Sequence, residues 1–140
     1  MSKVFLDTNL LIYSMDNYNK KKQAQCRSLL KSVTGSMQGV ISTQVMQEFY
    51  VAATRKLGAD PLTTKDVMNS FTRFEVVGIS PDIINSAVDC SILNRLSFWD
   101  ALIVAAAESA NCEYLWTEDL NAGQVIRGVK VENPLLQSSA

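Results

Sequence analysis

Short apolar runs alternate along this chain with longer segments that are apolar at helical spacing. Val4-Phe5-Leu6 is a continuous apolar run ending at Asp7 and predicts a buried strand. Residues 17–33 place Ala24, Leu29, Leu30 and Val33 among Lys20, Lys21, Lys22, Arg27 and Lys31, which predicts an amphipathic helix. Gly35 and Gly39 read as loop punctuation before a second short strand at Val40-Ile41. Ser42 or Thr43 is an N-cap candidate for a helix through Leu57, closed by Gly58. A helix from Thr63 or Thr64 to about Phe74 and a strand over residues 75–79 follow. Ser80-Pro81-Asp82 supplies a cap, a proline at the first helical position and a first-turn acid for a helix ending near Leu96. Ser97 caps the next helix, to about Asn111. Tyr114-Leu115-Trp116 reads as a fourth strand and residues 129–131 as a short fifth, and Asn133-Pro134 ends the regular structure.

No two-residue hairpin signal joins one strand to the next. The expected fold class is therefore α/β, a central mostly parallel sheet of four to five strands between helix layers. Ligands of such folds sit at the carboxyl ends of the strands. A length of 140 residues suits one domain, read over residues 1–135 with a frayed tail at 136–140. The longest apolar run, from Ala101 to Ala107, is far short of a bilayer span. No signal peptide or anchor is read, so no membrane association and a cytoplasmic location are expected.

The absence of histidine narrows the chemistry most. It removes Ser-His-Asp and Cys-His catalysis and His-ligated zinc. Cys26, Cys90 and Cys112 are odd in number and widely spaced, so buried free thiols are expected. What remains is carboxylates, hydroxyls, lysines or a bound hard cation.

Four acids stand where a core would not want them. Asp7 follows the buried run, although with Thr8 and Asn9 it also reads as a capping turn. Glu48 has Val45, Val51 and Ala52 as helical neighbours, and it also reads as a first-turn acid favoured by the helix dipole. Asp100 opens a nearly all-apolar helix, where Ser97-x-x-Asp100 is also a variant capping box. Asp119 follows the fourth strand, and Glu118 beside it has the same claim. Adjacent extended residues face opposite sides, so one of these two enters the site. In a parallel sheet all four acids converge at one edge. Such a cluster takes up protons unless a cation is present, and oxygen donors suit Mg²⁺ or Mn²⁺. The chemistry of that site is hydrolysis of a phosphodiester.

The segments Val4-Phe5-Leu6-Asp7-Thr8-Asn9, Gln47-Glu48-Phe49, Phe98-Trp99-Asp100-Ala101-Leu102-Ile103 and Leu115-Trp116-Thr117-Glu118-Asp119-Leu120 resemble the four acidic motifs of the PIN domain family. In particular they resemble the VapC-type toxins of VapBC toxin–antitoxin modules. The resemblance spans nearly the whole chain, in order and spacing, through Val131-Glu132-Asn133-Pro134. It implies a PIN-like three-layer α/β/α fold and a Mg²⁺- or Mn²⁺-dependent endoribonuclease. Asp7, Glu48, Asp100 and Asp119 are then the acidic quartet, with Asp7 and Asp100 holding the metal most directly. Thr8, Asn9, Thr117 and Glu118 match polar positions around it. The resemblance further implies a homodimer and a cognate VapB-type antitoxin.

RNA must be gripped elsewhere on the chain. Setting the quartet aside leaves 13 basic side chains against 10 acidic ones (14 less these four). Lys20, Lys21 and Lys22 with Arg27 form the densest basic group, and Arg55-Lys56 is a second. Each reads either as phosphate contacts or as a solvated helix face. Trp99, Trp116 and Tyr50 read either as surfaces that stack on bases or as core, and core is expected, since aromatics dominate cores. A catalytically silent PIN-fold module that binds nucleic acid or protein is the competing reading. A phosphatase or receiver lacks a D-x-D motif here, and there is no G-x-G-x-x-G or Walker loop.

Overall fold

β1 (Ser2–Leu6) is an inner strand of a six-stranded sheet in the computed structural model, which describes residues 1–136. Val4, Phe5 and Leu6 are fully buried, as their unbroken apolar run requires. Asp7 ends the strand and caps α1 (Thr8–Tyr13) by accepting from the Thr8 N–H. Asn19 caps α2 (Lys20–Ser32), which leads to β2 (Met37–Ser42). Ser42 caps α3 (Thr43–Arg55) through the Val45 N–H. Asp60 caps α4 (Pro61–Asn69), followed by a 3₁₀ turn over Ser70–Arg73 and by β3 (Glu75–Val77). Ser80 caps α5 (Pro81–Asn94) and Ser97 caps α6 (Phe98–Ser109). β4 (Tyr114–Trp116), β5 (Val125–Ile126) and β6 (Val129–Glu132) complete the sheet.

The strand order is β3-β2-β1-β4-β6-β5. Every pairing is parallel except β5 with β6. The chain steps outward from β1 through β2 to β3, then returns to lay β4 on the other side of β1. Right-handed crossovers in opposite directions place the two helix sets on opposite faces. α1 packs on α2 and α3, and α3 on α4, while α5 packs on α6. The expected α/β/α architecture is thus observed. The reversal between β1 and β4 is a topological switch point, where the carboxyl ends of two neighbouring strands leave a crevice.

Several expectations need correction. The sheet has six strands rather than four to five. The added strand, β5, is joined to β6 by the two-residue turn Arg127-Gly128, with φ of 52° and 79°. Both turn residues are left-handed, as a type I′ hairpin requires. Gly39 is not loop punctuation but lies inside β2, where a Cβ would meet the Phe74 ring at 2.8 Å. α1 was not expected as a helix, and α4 begins earlier, at an Asp60 cap with Pro61 at its first position. Of the expected tail, residues 137–140 lie outside the described residues. Among the described residues no single helix is long and apolar enough to cross a membrane.

Candidate active site

Asp7 is only 8% exposed at the carboxyl end of β1. One carboxylate oxygen accepts from the Thr8 N–H at 2.7 Å and the other from the Thr117 hydroxyl at 2.6 Å. Burial pushes its pKa up from 3.8 to about 6. The negative charges of Asp119 and Glu48 push the same way, and the two hydrogen bonds oppose the rise. Thr117 also accepts from the Asp119 N–H at 3.1 Å, so one hydroxyl ties the first and fourth acids to the end of β4.

Glu48 projects from α3. It accepts from the Thr8 hydroxyl at 2.8 Å and from the Gln44 amide, one turn earlier, at 3.4 Å. That amide also reaches the Trp99 carbonyl at 3.3 Å, linking α3 to the first turn of α6. Asp100 follows, its N–H donating to the Ser97 capping hydroxyl at 3.1 Å. Asp119 has its pKa raised, first by partial burial and then by the Asp100 and Glu118 charges. A hydrogen bond with Asp7 opposes this, and Glu48 adds to it. Asp119 is therefore the group whose field reaches all the other acids of the quartet.

Asp7, Glu48 and Asp119 line one cleft of about 630 Å³, together with Thr8, Asn9 and Gln44. Asp100 adjoins it through Asp119. Glu118, in the bend after β4, does not line it. It accepts from Tyr13 and Asn9 and lies 3.9 Å from the Lys22 ammonium. Lys22 also sits over the Tyr13 ring. Lys20, Lys21, Lys22 and Arg27 do not line the cleft, and Arg27 donates to the Ser14 carbonyl. Arg55 and Lys56, at the end of α3, do line it.

Two further residues line the cleft: Trp99, for which the core is expected, and Gln44, for which the sequence offers no reading. Trp99 is 62% exposed on the cleft wall, not in the core, because the first turn of α6 projects beyond the buried stretch Ala101–Ala107. Tyr50 is partly exposed as well, and Trp116 alone of the three aromatics is buried as expected. Gln44 is 5% exposed, yet its Oε1 is buried without a hydrogen-bond partner. Its one sequence signal is its place a helical turn before Glu48.

The donor set fits a hard cation. The donors are oxygens, and among the described residues none of the four acids is in an ion pair, the salt bridges lying elsewhere. The negative charge raising Asp7 is therefore not neutralised by an ion pair, although Arg55 and Lys56 line the same cleft. Among the described residues no three acidic or thiol side chains form a ready-made cage. Oxygen donors suit Mg²⁺, which keeps several waters and takes one or two carboxylates.

Comparison with known proteins agrees with this geometry. The PIN domain family model matches residues 4–127, nearly the whole chain. The chain belongs to the PIN domain family. No curated protein sequence matches it. Among solved structures, this PIN chain is similar to a toxin-antitoxin complex from Klebsiella pneumoniae, at 25% identity and a TM-score of 0.67 over 90% of this chain and 94% of that one. It resembles DNA-bound VapBC from Salmonella typhimurium at 24% identity and a TM-score of 0.67, covering 94% and 98% of the two chains. Mycobacterium tuberculosis VapC20, a Sarcin-Ricin loop cleaving toxin, shares the fold at 18% identity and a TM-score of 0.66, over 83% and 91%.

Proposed function

We propose that this PIN protein is a Mg²⁺- or Mn²⁺-dependent endoribonuclease, the toxin of a toxin–antitoxin module held inactive by a VapB-type antitoxin. The observation that carries the reading is the meeting of Asp7, Glu48 and Asp119 on one cleft at the β1/β4 switch point, with Asp100 adjoining and, among the described residues, none of the four in an ion pair. The antitoxin is supported by the toxin–antitoxin complexes among its structural neighbours.

Asp7 and Asp100 are the residues to hold the cation most directly, with Glu48 and Asp119 completing its surroundings. When bound, the ion would neutralise phosphate charge and promote attack by water. Thr8 and Thr117 fix the Glu48 and Asp7 carboxylates by hydrogen bonds made before any ligand arrives. Asn9 and Tyr13 hold Glu118 out of the cleft. With no histidine in the chain, the leaving oxygen takes its proton from solvent. Arg55 and Lys56 supply positive charge beside the acids.

Calorimetric titration with Mn²⁺ and end-group analysis of cleaved RNA test this directly. Binding by the wild type that is lost in Asp7→Asn and Asp100→Asn, with products ending in 5′-phosphate and 3′-hydroxyl, is expected. Products with 2′,3′-cyclic phosphate ends, or metal binding unaffected by either substitution, would contradict it.

A further inference from the structure

The cleft carries a recognition element that hydrolysis does not require. Trp99 presents an indole 62% exposed to solvent on the cleft wall. Its ring and its backbone each have a partner. The Phe98 ring lies edge-on to it at 5.1 Å and 76°, and its carbonyl accepts from the buried Gln44 amide. Arg55 and Lys56 line the same cleft. They lie seven and eight residues after Glu48, on the same helical face. Both are exposed, and among the described residues neither is in an ion pair. Val51, also exposed, adds apolar surface between them and the acid.

A large flat apolar face, two unpaired cations and an acidic site in one cleft complement a single nucleic-acid strand. Every base has a π-face that stacks on an aromatic ring, and the backbone carries the negative charge. A duplex hides those base faces and offers only the charge. We infer that Trp99 is a stacking platform for one unpaired base, flanked by Arg55 and Lys56 as phosphate contacts, so that the cleft takes a single-stranded RNA segment. The inference rests on the ribonuclease reading and adds to it a specificity-determining residue, Trp99.

The test uses the Asp7→Asn protein with Mg²⁺, so that RNA stays intact, and reads tryptophan fluorescence. Trp116 is buried and gives a constant background. The probe is a ten-nucleotide single-stranded RNA, intact or with one abasic nucleotide placed at each position in turn. Expected are quenching on binding, loss of the quench at one abasic position, and none with the same strand annealed to its complement. Trp99→Leu is expected to remove the quench and weaken binding about tenfold, the lower part of the range for one stacked base. Trp99→Phe should restore part of the affinity. Replacing Arg55 and Lys56 by Gln should flatten the salt slope by about 1.4, at ~0.7 per single-strand phosphate contact. If wild type cuts RNA while Trp99→Leu binds and cuts equally well, the stacking inference fails alone, and the indole is left as a face for a protein partner. If the wild-type protein neither binds nor cuts RNA, both readings fall together.

Discussion

Asp7 shows at the scale of one residue how this fold sacrifices stability to hold a site. A carboxylate whose pKa rises from 3.8 to about 6 on folding destabilises the native state by roughly 3 kcal/mol at neutral pH. The sign follows from proton binding. Between pH 3.8 and about 6 the folded chain holds a proton that the unfolded chain releases, so stability falls as pH rises through that window and is constant above it. Asp7→Asn keeps the shape, removes the buried charge and leaves Thr117 a partner. It is expected to raise the metal-free melting temperature at pH 7.5 by several degrees, a gain that shrinks as pH is lowered towards 4. An unchanged or lower melting temperature at pH 7.5 would contradict the burial argument. The same proton competes with a cation, so Mn²⁺ affinity is expected to fall as pH drops below about 6. Asp7, Asp100 and Asp119 stand out in the sequence because each lies at or just past an element boundary, and Glu48 because it sits among apolar positions of α3. Gln44 carries no such signal, and Trp99 leaves core and base stacking both open, because a glutamine one turn from an acid and an aromatic in an apolar helix look the same buried or exposed.

Elements were readable where a cap or an apolar run marked them, and unreadable where geometry alone did. The Ser42, Ser80 and Ser97 caps gave three helix starts to within a residue. α1 has six residues and takes its cap from an acid already claimed by the site, while β5 has two residues and no periodicity to show. Gly39 was misread because a glycine in a strand marks close approach as readily as a turn. Gly39→Ala drives a methyl group into the buried Phe74 ring and is expected to cost about 1–3 kcal/mol in urea unfolding. Gly35→Ala, with open space around it, is the control that should cost nothing. Arg95 ends α5 in the left-handed region, φ 55°, where a side chain is strained. Arg95→Gly is expected to stabilise by about 0.5–1 kcal/mol, read as a higher melting temperature.

On the scale of the whole molecule, the reversal of strand order at β1 and β4 brings Asp7 and Asp119, far apart in sequence, to one cleft with Glu48. The alternation of strands and helices carried that architecture in the sequence, while the antiparallel β5–β6 edge lay beyond it. The same closed packing buries all three free thiols. Burial pushes Cys26 up to about 11 and Cys112 up to about 12, so neither forms thiolate near neutral pH. In the native protein at pH 8 a thiol reagent should react with neither, and it should react with all three after unfolding; fast native labelling would mean the fold opens. The central claim is that the quartet is one metal site that cuts RNA. The measurement that tests it most directly is cleavage of a mixed RNA and single-stranded DNA panel with Mg²⁺, Mn²⁺ or EDTA, beside Asp7→Asn and Asp100→Asn. Metal-dependent cutting of RNA, abolished by EDTA and by both substitutions, is the expected result. Cutting that survives EDTA or either substitution, or no cutting of any RNA by wild type with metal present, would contradict it.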